Sequence, residues 1–184
     1  MERHTILMTA DEIARTIDRL ASQVIEKNGD CSNLAIIGIQ RRGADIANRL
    51  TALLGQRLNR PIPCGVLDIA LYRDDWTSVG VHPFVGPTKM PFDIQNRDLV
   101  LVDDVLFTTR TVRAALEALL DFGRPRRVEL MVLIDRGHNE LPIHADYIGR
   151  AVNTARQEHV DVLIRERDGI DEVRLITKAR AVSS

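Results

Sequence analysis

Short, uninterrupted apolar runs restrict the fold of this chain most strongly, because each is followed by a polar turn and an amphipathic segment. The run Leu34–Ile39 contains no polar side chain, which is typical of a strand buried on both faces in a parallel sheet. Residues 40–43 form a polar turn, and apolar residues at helical spacing predict a helix over residues 44–58. The same order recurs from the apolar run at residues 99–102 to a helix predicted over residues 111–122. This alternation predicts an α/β fold with a central, mostly parallel sheet flanked by helices.

The remaining segments complete the predicted order of elements. Thr9 and Glu12 form a capping-box sequence, so the first helix is predicted to begin there and to end before Gly29. Further strands are predicted over residues 65–72, 128–134, 161–164 and 173–176. A hairpin turn at residues 167–169 joins the last two of these strands. Residues 73–93 carry three prolines and two glycines with little periodicity, which predicts a long functional loop.

Composition limits the class of protein. The 184 residues, with no linker or repeat, are expected to form one domain over residues 1–184. A formal net charge of -1 argues against a protein that coats nucleic acid, and two cysteines are too few for a disulfide framework or a four-ligand zinc site. The apolar runs are too short to span a bilayer, and residues 1–5 lack the apolar stretch of a secretory signal. A cytoplasmic protein without membrane contact is therefore expected.

Two adjacent acids, Asp103 and Asp104, follow the second apolar run and precede a turn rich in hydroxyl groups. Ligands bind at the carboxyl ends of parallel strands, where these carboxylates can accept hydrogen bonds from vicinal ribose hydroxyls and help hold a divalent cation. Thr108, Thr109 and Thr111, together with free backbone N–H groups, can bind a phosphate at the start of the next helix. For the two acids alone, a solvated turn that complements the helix dipole is the competing interpretation. The threonines favour a phosphosugar site.

Residues 100–111 resemble the signature for 5-phosphoribosyl-1-pyrophosphate (PRPP) in type I phosphoribosyltransferases, in which apolar residues and two acids precede a phosphate loop. Further segments at residues 38–43, 67–75, 105–107 and 135–143 are similar to the PyrR family of pyrimidine operon regulators with uracil phosphoribosyltransferase activity. The similarity extends from about residue 9 to residue 176. It implies a type I phosphoribosyltransferase fold with a flexible lid at about residues 73–93 and a small hood at about residues 135–184. It also implies PRPP, uracil and UMP as ligands, Mg²⁺ as cofactor, and a homodimer or homotetramer.

The resemblance assigns roles to the central residues. Asp103 and Asp104 would contact the ribose hydroxyls of PRPP or UMP and hold Mg²⁺ through water or PRPP. The loop around the 5-phosphate would comprise Val105, Leu106, Phe107, Thr108, Thr109, Arg110 and Thr111. Arg41 and Arg42 occupy the place of the pyrophosphate loop and would complete the catalytic set by stabilising charge on the leaving group. An exposed arginine pair that caps a helix is the competing interpretation.

Three further positions follow from the same resemblance. Arg73 is the first residue of the predicted lid, which would close over PRPP and exclude water. Arg136 lies in the hood segment that would receive the uracil ring, and Val160 matches a position that lines the base. A structural ion pair is the alternative role for Arg136.

The phosphate loop departs from the family pattern at Thr109, where the family has glycine. A β-branched residue resists positive φ and crowds a backbone that must approach phosphate closely. We therefore expect either that the loop avoids this conformation or that phosphate binding, and with it enzyme activity, is weakened.

A second departure concerns RNA. Regulators of this family bind pyrimidine leader mRNA through the first helix and the hood segment, but Asp18 and Ser22 here replace threonine and histidine. Asn139 and His144 replace two arginines. Because an acid repels phosphate and lost arginines weaken a backbone-dominated interaction, weakened RNA binding is expected. Three functions remain open: a uracil phosphoribosyltransferase, an RNA-binding attenuation regulator with little turnover, and a phosphoribosyltransferase for another nucleobase.

Overall fold

The computed structural model describes residues 2–73 and 87–178. Its strands are β1 (Glu2–Met8), β2 (Leu34–Ile39), β3 (Cys64–Leu67), β4 (Asp98–Leu106), β5 (Arg127–Asp135), β6 (Tyr147–Ala151), β7 (His159–Leu163) and β8 (Glu172–Lys178). Its helices are α1 (Ala10–Asn28), α2 (Arg42–Leu58), α3 (Arg110–Leu120) and the short α4 (Arg165–Asp168), with a 3₁₀ turn at Ala70–Tyr72. Most of the predicted lid, residues 74–86, lies outside the described residues.

Five strands form a parallel sheet in the order β3-β2-β4-β5-β6, so the predicted fold class is confirmed. β4 is the central strand, and every residue of β2 beside it is buried. Gly38 of β2 pairs with Val102 of β4, so the turn after β2 and the loop after β4 open at the same edge of the sheet. A ligand can contact both segments at this edge, as is usual for parallel sheets.

The core fixes the position of β4. Val100 and Val102 pack on the face covered by α1 and α2, whereas Leu99 and Leu101 pack on the face covered by α3. Each of these four side chains is at most 1% exposed, and burying one such side chain stabilises the fold by about 1.5–3 kcal/mol. The acids at the end of β4 are therefore attached to one of the most firmly held segments of the chain.

A separate antiparallel sheet, in the order β1-β8-β7, contains the predicted C-terminal strand pair. The turn between β7 and β8 contains the short α4. β1 was not predicted, because its polar and charged residues form a strand only through pairing with β8. β6 was also not predicted, since its pairing with the neighbouring β5 is parallel and non-local.

Two strand boundaries differ from the sequence prediction by more than two residues. β4 continues past residue 102, because β5 pairs alongside it as far as Leu106 and Asp135. The strand predicted over residues 65–72 ends at Leu67, because the chain forms a 3₁₀ turn at Ala70–Tyr72. The two acids after residue 102 therefore lie in the last part of the strand itself.

The α1 prediction is confirmed, and the Thr9 Oγ1 and Glu12 backbone N–H form the capping-box bond at 3.4 Å. In the part of the chain that the structure describes, no helix is both long and apolar enough to cross a membrane.

Candidate active site

Two adjacent carboxylates lie near the carboxyl end of the central strand. Asp103 is 5% exposed, and its Oδ1 accepts a hydrogen bond from the Asp104 backbone N–H at 2.9 Å. Asp104 is half-buried, and its Oδ1 accepts a hydrogen bond from the Val105 N–H at 2.9 Å. Within residues 2–73 and 87–178, neither carboxylate forms an ion pair with lysine, arginine or histidine. The pair therefore retains acceptor capacity for the hydroxyl groups of a ligand.

The electrostatics of this pair favour a ligand that brings protons or positive charge. Burial raises the pKa of Asp103 well above its usual range, and the neighbouring Asp104 carboxylate adds to the rise. The positive charge of Arg73, the first residue of the predicted lid, opposes this rise. Hydroxyl donors or a divalent cation beside the carboxylates would stabilise their ionised form.

The turn between β4 and α3 presents unpaired backbone donors. The N–H groups of Thr108, Thr109 and Thr111 find no acceptor among the described residues on either side of the lid segment. They lie at the N-terminus of α3, an 11-residue helix, where free N–H groups and the helix dipole both favour an anion. This turn can therefore bind a phosphate next to the carboxylate pair.

The start of α2 approaches the carboxylate strand through a glycine. A Cβ atom at Gly43 would lie 2.6 Å from the carbonyl oxygen of Val102 and 3.0 Å from the Cα of Asp103. Any larger residue would push the turn at residues 40–43 away from β4. Gly43 thus brings the predicted pyrophosphate loop to the edge where the two acids lie.

The two arginines of this turn differ in environment. Arg41 is exposed and lines an open cavity together with Lys89 and Arg167. The guanidinium of Arg42 lies 3.2 Å from an Asp168 carboxylate oxygen and 3.6 Å from one of Asp161. Arg42 is therefore tied to the β7–β8 segment, whereas Arg41 remains at the open edge.

Arg136 is only 4% exposed and is a centre of packing in the predicted hood. It donates hydrogen bonds to the Glu158 carbonyl oxygen at 2.6 Å and to Thr154 Oγ1 at 3.1 Å. Its guanidinium carbon lies 3.9 Å from the centre of the Phe107 ring, an arrangement that permits a cation–π interaction. Among the described residues, Arg136 contacts carbonyl, hydroxyl and ring groups, and the ion pair considered from the sequence as its alternative role is not among these contacts.

Val160 lies in β7 with its side chain 3% exposed and packed in the core on the α1 side of the sheet. A contact between this position and a base would therefore use the main chain. The other loop residues are placed as follows: Val105 and Phe107 are half-buried, Leu106 is buried, and Arg110 is exposed with its Nε 2.7 Å from a Glu140 oxygen.

The positions that depart from the family's RNA-binding pattern are engaged in internal contacts. Arg57 forms an ion pair with Asp18 and donates a hydrogen bond to Ser22 Oγ at 2.8 Å. The Asn139 amide lies 3.3 Å from the His144 ring nitrogen and donates to the Ile143 carbonyl oxygen at 3.0 Å.

Sequence reasoning missed several residues that shape the site. Gly43 was considered only as part of the turn at residues 40–43. Its place after two arginines and before a predicted helix was a usable signal. Asp168, which holds Arg42, lies 126 residues away in sequence, and no local pattern links the two. Lys89, in the described part of the predicted lid, lines the same cavity as Arg41.

Comparison with known proteins agrees with this geometry. The family model described as "Phosphoribosyl transferase domain" matches residues 5–165. The hypoxanthine phosphoribosyltransferase of Trypanosoma cruzi has the same fold, with a TM-score of 0.69 and 16% identity over 93% of this chain and 95% of that one.

Curated relatives are more similar in sequence. The "Bifunctional protein PyrR" of Deinococcus deserti is 52% identical over 169 residues, which cover 92% of each protein. The protein of the same name from Thermus aquaticus is 49% identical over 175 residues, which cover 95% of this chain and 97% of that protein. The chain therefore belongs to the phosphoribosyltransferase family and, within it, to the bifunctional PyrR proteins.

Proposed function

We propose that this protein transfers the phosphoribosyl group of PRPP to uracil, which yields UMP and pyrophosphate, and that it senses these nucleotides as a regulator of pyrimidine gene expression. The observation that carries the proposal is the carboxylate pair Asp103–Asp104 beside three unpaired N–H groups at the start of α3. A ribose 5-phosphate presents vicinal hydroxyls and a phosphate at a spacing that one such edge can accommodate. The shared name of the relatives, "Bifunctional protein PyrR", fits a protein with these two roles.

The residues of the chain would divide the work of binding. Asp103 and Asp104 would accept hydrogen bonds from the 2- and 3-hydroxyls, and the turn from Val105 to Thr111 would bind the 5-phosphate. Arg41 would contact the pyrophosphate, since it remains exposed at the same edge. Arg42 would act on the pyrophosphate mainly by fixing the turn, because Asp168 and Asp161 engage its guanidinium.

The chemical step needs little from the protein beyond positioning. A uracil nitrogen forms a bond to the anomeric carbon as the bond from that carbon to pyrophosphate breaks, and the uracil N–H proton is released. Positive charge develops on the ribose ring, and carboxylates close to the ring would stabilise it. Arg41 would stabilise the negative charge of the departing pyrophosphate.

The donor set fits Mg²⁺ bound jointly by protein and substrate. Among the described residues, no group of three or more acidic, histidine or cysteine side chains could hold a metal ion alone. Asp103 and Asp104 offer hard oxygen donors whose mutual repulsion a divalent cation would relieve, and Mg²⁺ commonly takes its other ligands from water and phosphates. When bound, Mg²⁺ would neutralise charge on the pyrophosphate oxygens.

The base would lie near the hood segment. Arg136 holds the start of this segment against the loop before β7. The Phe107 ring contacts both Arg136 and His138, and the ring centres of Phe107 and His138 are 5.3 Å apart. We expect main-chain groups near Val160 and this segment to select the base, and Arg73 to help close the site as the lid's first residue.

A regulator with little turnover is the second candidate function, and a specific observation bears on it. Arg15, Arg19 and Arg150 line a cleft between α1 and β6, so a basic surface remains on the helix that the family uses for RNA. Against this, Asp18 and Ser22, which lie on the same helix α1, are held by Arg57 of α2. We therefore propose that pyrimidine leader mRNA binds, but weakly. We also propose, from the resemblance to the family, that the protein acts in the cytoplasm as a homodimer or homotetramer.

A product assay tests the enzymatic proposal. The purified chain is incubated with PRPP, Mg²⁺ and uracil, orotate, hypoxanthine, guanine or adenine in turn, and the nucleotides are separated by chromatography. We expect UMP from uracil and no nucleotide from the other bases. A purine nucleotide or an orotidine product would show that another base, not uracil, is the substrate. No product with any base would favour the regulator with little turnover.

The variant Asp104→Asn keeps the size of the side chain and removes its charge. We expect it to abolish measurable PRPP binding in titration calorimetry, whereas Asp11→Asn, an exposed acid on α1, should bind PRPP like the wild type. Equal PRPP affinity in Asp104→Asn and the wild type would contradict the role given to the carboxylates.

A further inference from the structure

Thr109, which replaces the family glycine of the phosphate loop, has a left-handed backbone conformation. Its φ is 69° and its ψ is -3°. β-Branched residues rarely adopt this region, because the branched side chain crowds the backbone. Of the two alternatives stated from the sequence, avoidance of positive φ is therefore wrong, and something in the surrounding structure must hold Thr109 in this conformation.

The side chain of Thr109 supplies the contacts that can do so. It is only 2% exposed, and its hydroxyl donates a hydrogen bond to the carbonyl oxygen of Thr108. The same hydroxyl oxygen accepts a hydrogen bond from the Leu141 backbone N–H at 3.1 Å. Both functions of the hydroxyl are therefore used, one within the loop and one across to the hood segment.

Neighbouring bonds reinforce this contact. The Glu140 backbone N–H donates to the Thr108 carbonyl oxygen at 3.1 Å. The Glu140 carboxylate lies 2.7 Å from Arg110 Nε. The contacts of Thr108, Thr109 and Arg110 with Glu140 and Leu141 form a set that we call the loop clasp.

We propose that Thr109 is a positioning residue, whose buried hydroxyl holds the phosphate loop through the loop clasp in the conformation that glycine reaches by its own flexibility in the family. The proposal rests on the function proposed above. The N–H groups of Thr108, Thr109 and Thr111 take their directions from the dihedral angles of this turn, so a loop that leaves the left-handed conformation at Thr109 no longer presents them together. The hydroxyl thus offsets the strain that its own β-carbon introduces.

Three substitutions separate the hydroxyl from the backbone effect. Thr109→Ser keeps the hydroxyl, Thr109→Val keeps the shape and removes the hydroxyl, and Thr109→Gly removes the side chain and frees the backbone. Thr51→Val serves as a matched control, because Thr51 is a half-buried threonine of α2 whose hydroxyl bonds to the Ala47 carbonyl oxygen away from the site.

PRPP affinity and steady-state kinetics are the first readouts. Loss of one hydrogen bond of typical net strength corresponds to about a tenfold change in an equilibrium constant. We expect Thr109→Val to raise the Kd and KM for PRPP about tenfold with an unchanged KM for uracil. Thr109→Gly, whose backbone adopts positive φ without strain, should stay within about twofold of the wild type, as should Thr109→Ser and Thr51→Val. A role in folding alone would lower thermal stability without this selective effect on PRPP.

Amide hydrogen exchange of the unliganded protein is the second readout. We expect faster exchange at Leu141 and Glu140 in Thr109→Val and Thr109→Gly, and wild-type exchange in Thr109→Ser. A Thr109→Val variant that binds PRPP as tightly as the wild type, or that leaves exchange at Leu141 unchanged, would overturn the inference alone. A wild-type chain that binds no PRPP would overturn the proposed function together with it.

Discussion

Replacing Asp103 with asparagine should make the unliganded protein more stable while it disables the site. Asp103 is buried beside another carboxylate, and its Oδ1 accepts a hydrogen bond from the Asp104 backbone N–H. An asparagine Oδ1 can accept the same bond, so the substitution Asp103→Asn removes a buried charge and its repulsion without removing a hydrogen bond. A buried charged residue that lowers the stability of the fold is typical of a functional site.

The magnitude follows from the position of the two carboxylates. Two unit charges about 4 Å apart interact by about 4 kcal/mol at an effective dielectric constant near 20. Asp104 is half-buried and in contact with water, and Asp103 can avoid part of the repulsion by protonation, so we expect a gain of about 1–2 kcal/mol. For a chain of this size, that gain corresponds to an increase in Tm of about 2–8 °C.

The pH dependence gives the sign of the effect. The folded protein raises the pKa of Asp103, so it holds the Asp103 proton more tightly than the unfolded chain does. The resulting loss of stability is absent below the unfolded pKa of about 3.9, grows as the pH rises above it, and is complete above the folded pKa. The Tm advantage of Asp103→Asn should therefore widen as the pH rises from about 4 through the folded pKa.

Asp98 at the other end of β4 provides a matched control. It is also buried, but Arg126 Nε donates to it at 2.8 Å, and this bond lowers the pKa of Asp98. This contribution to stability is present above the unfolded pKa and is lost as the pH falls through the folded one. Because the Arg126 side chain is 65% exposed, Asp98→Asn should lose only about 0.5–1 kcal/mol near neutral pH, the opposite sign to Asp103→Asn.

Scanning calorimetry across this pH range, with PRPP titration in Mg²⁺, checks both halves of the prediction. PRPP affinity should fall about 10- to 100-fold in Asp103→Asn, as expected for a lost hydrogen bond to a charged group. A variant that is less stable than the wild type at about pH 8, or that binds PRPP equally well, would refute the reasoning.

Three further substitutions test other parts of the structure. Arg41→Ala should raise the KM for PRPP about tenfold or more without a change in Tm. Arg42→Ala should also lower the Tm, because it leaves Asp161 and Asp168 without their ion-pair partner. Equal Tm values of the two variants in calorimetry would contradict this division. Tyr147→Phe removes a buried hydroxyl that donates to Glu129 at 2.6 Å, and should lower stability by about 1–3 kcal/mol in urea unfolding with unchanged PRPP affinity. The double substitution Asn139→Arg and His144→Arg should strengthen filter binding to a pyrimidine leader RNA in the presence of competitor RNA, with the salt dependence steeper by about 1.4–1.8 in its logarithmic slope; an unchanged slope would show that these positions do not face the RNA.

Local sequence patterns determined the architecture around the site. The interior strands were predictable because a strand buried on both faces must be apolar at nearly every position, as in residues 34–39. The helix start at Thr9 was predictable because a capping box satisfies its own backbone donors locally. The place of Asp103 and Asp104 followed from the rule that a parallel sheet gathers its loops at one edge.

Tertiary structure alone decided how the side chains at that edge are held. The sequence placed Arg41 and Arg42 side by side, but ion pairs with residues more than a hundred positions away give them different environments. Thr109 looked only like an obstacle to phosphate binding, since its contact with Leu141 joins segments that are distant in sequence. Periodicity and capping are properties of neighbouring residues, whereas such contacts exist only after the core has brought remote segments together.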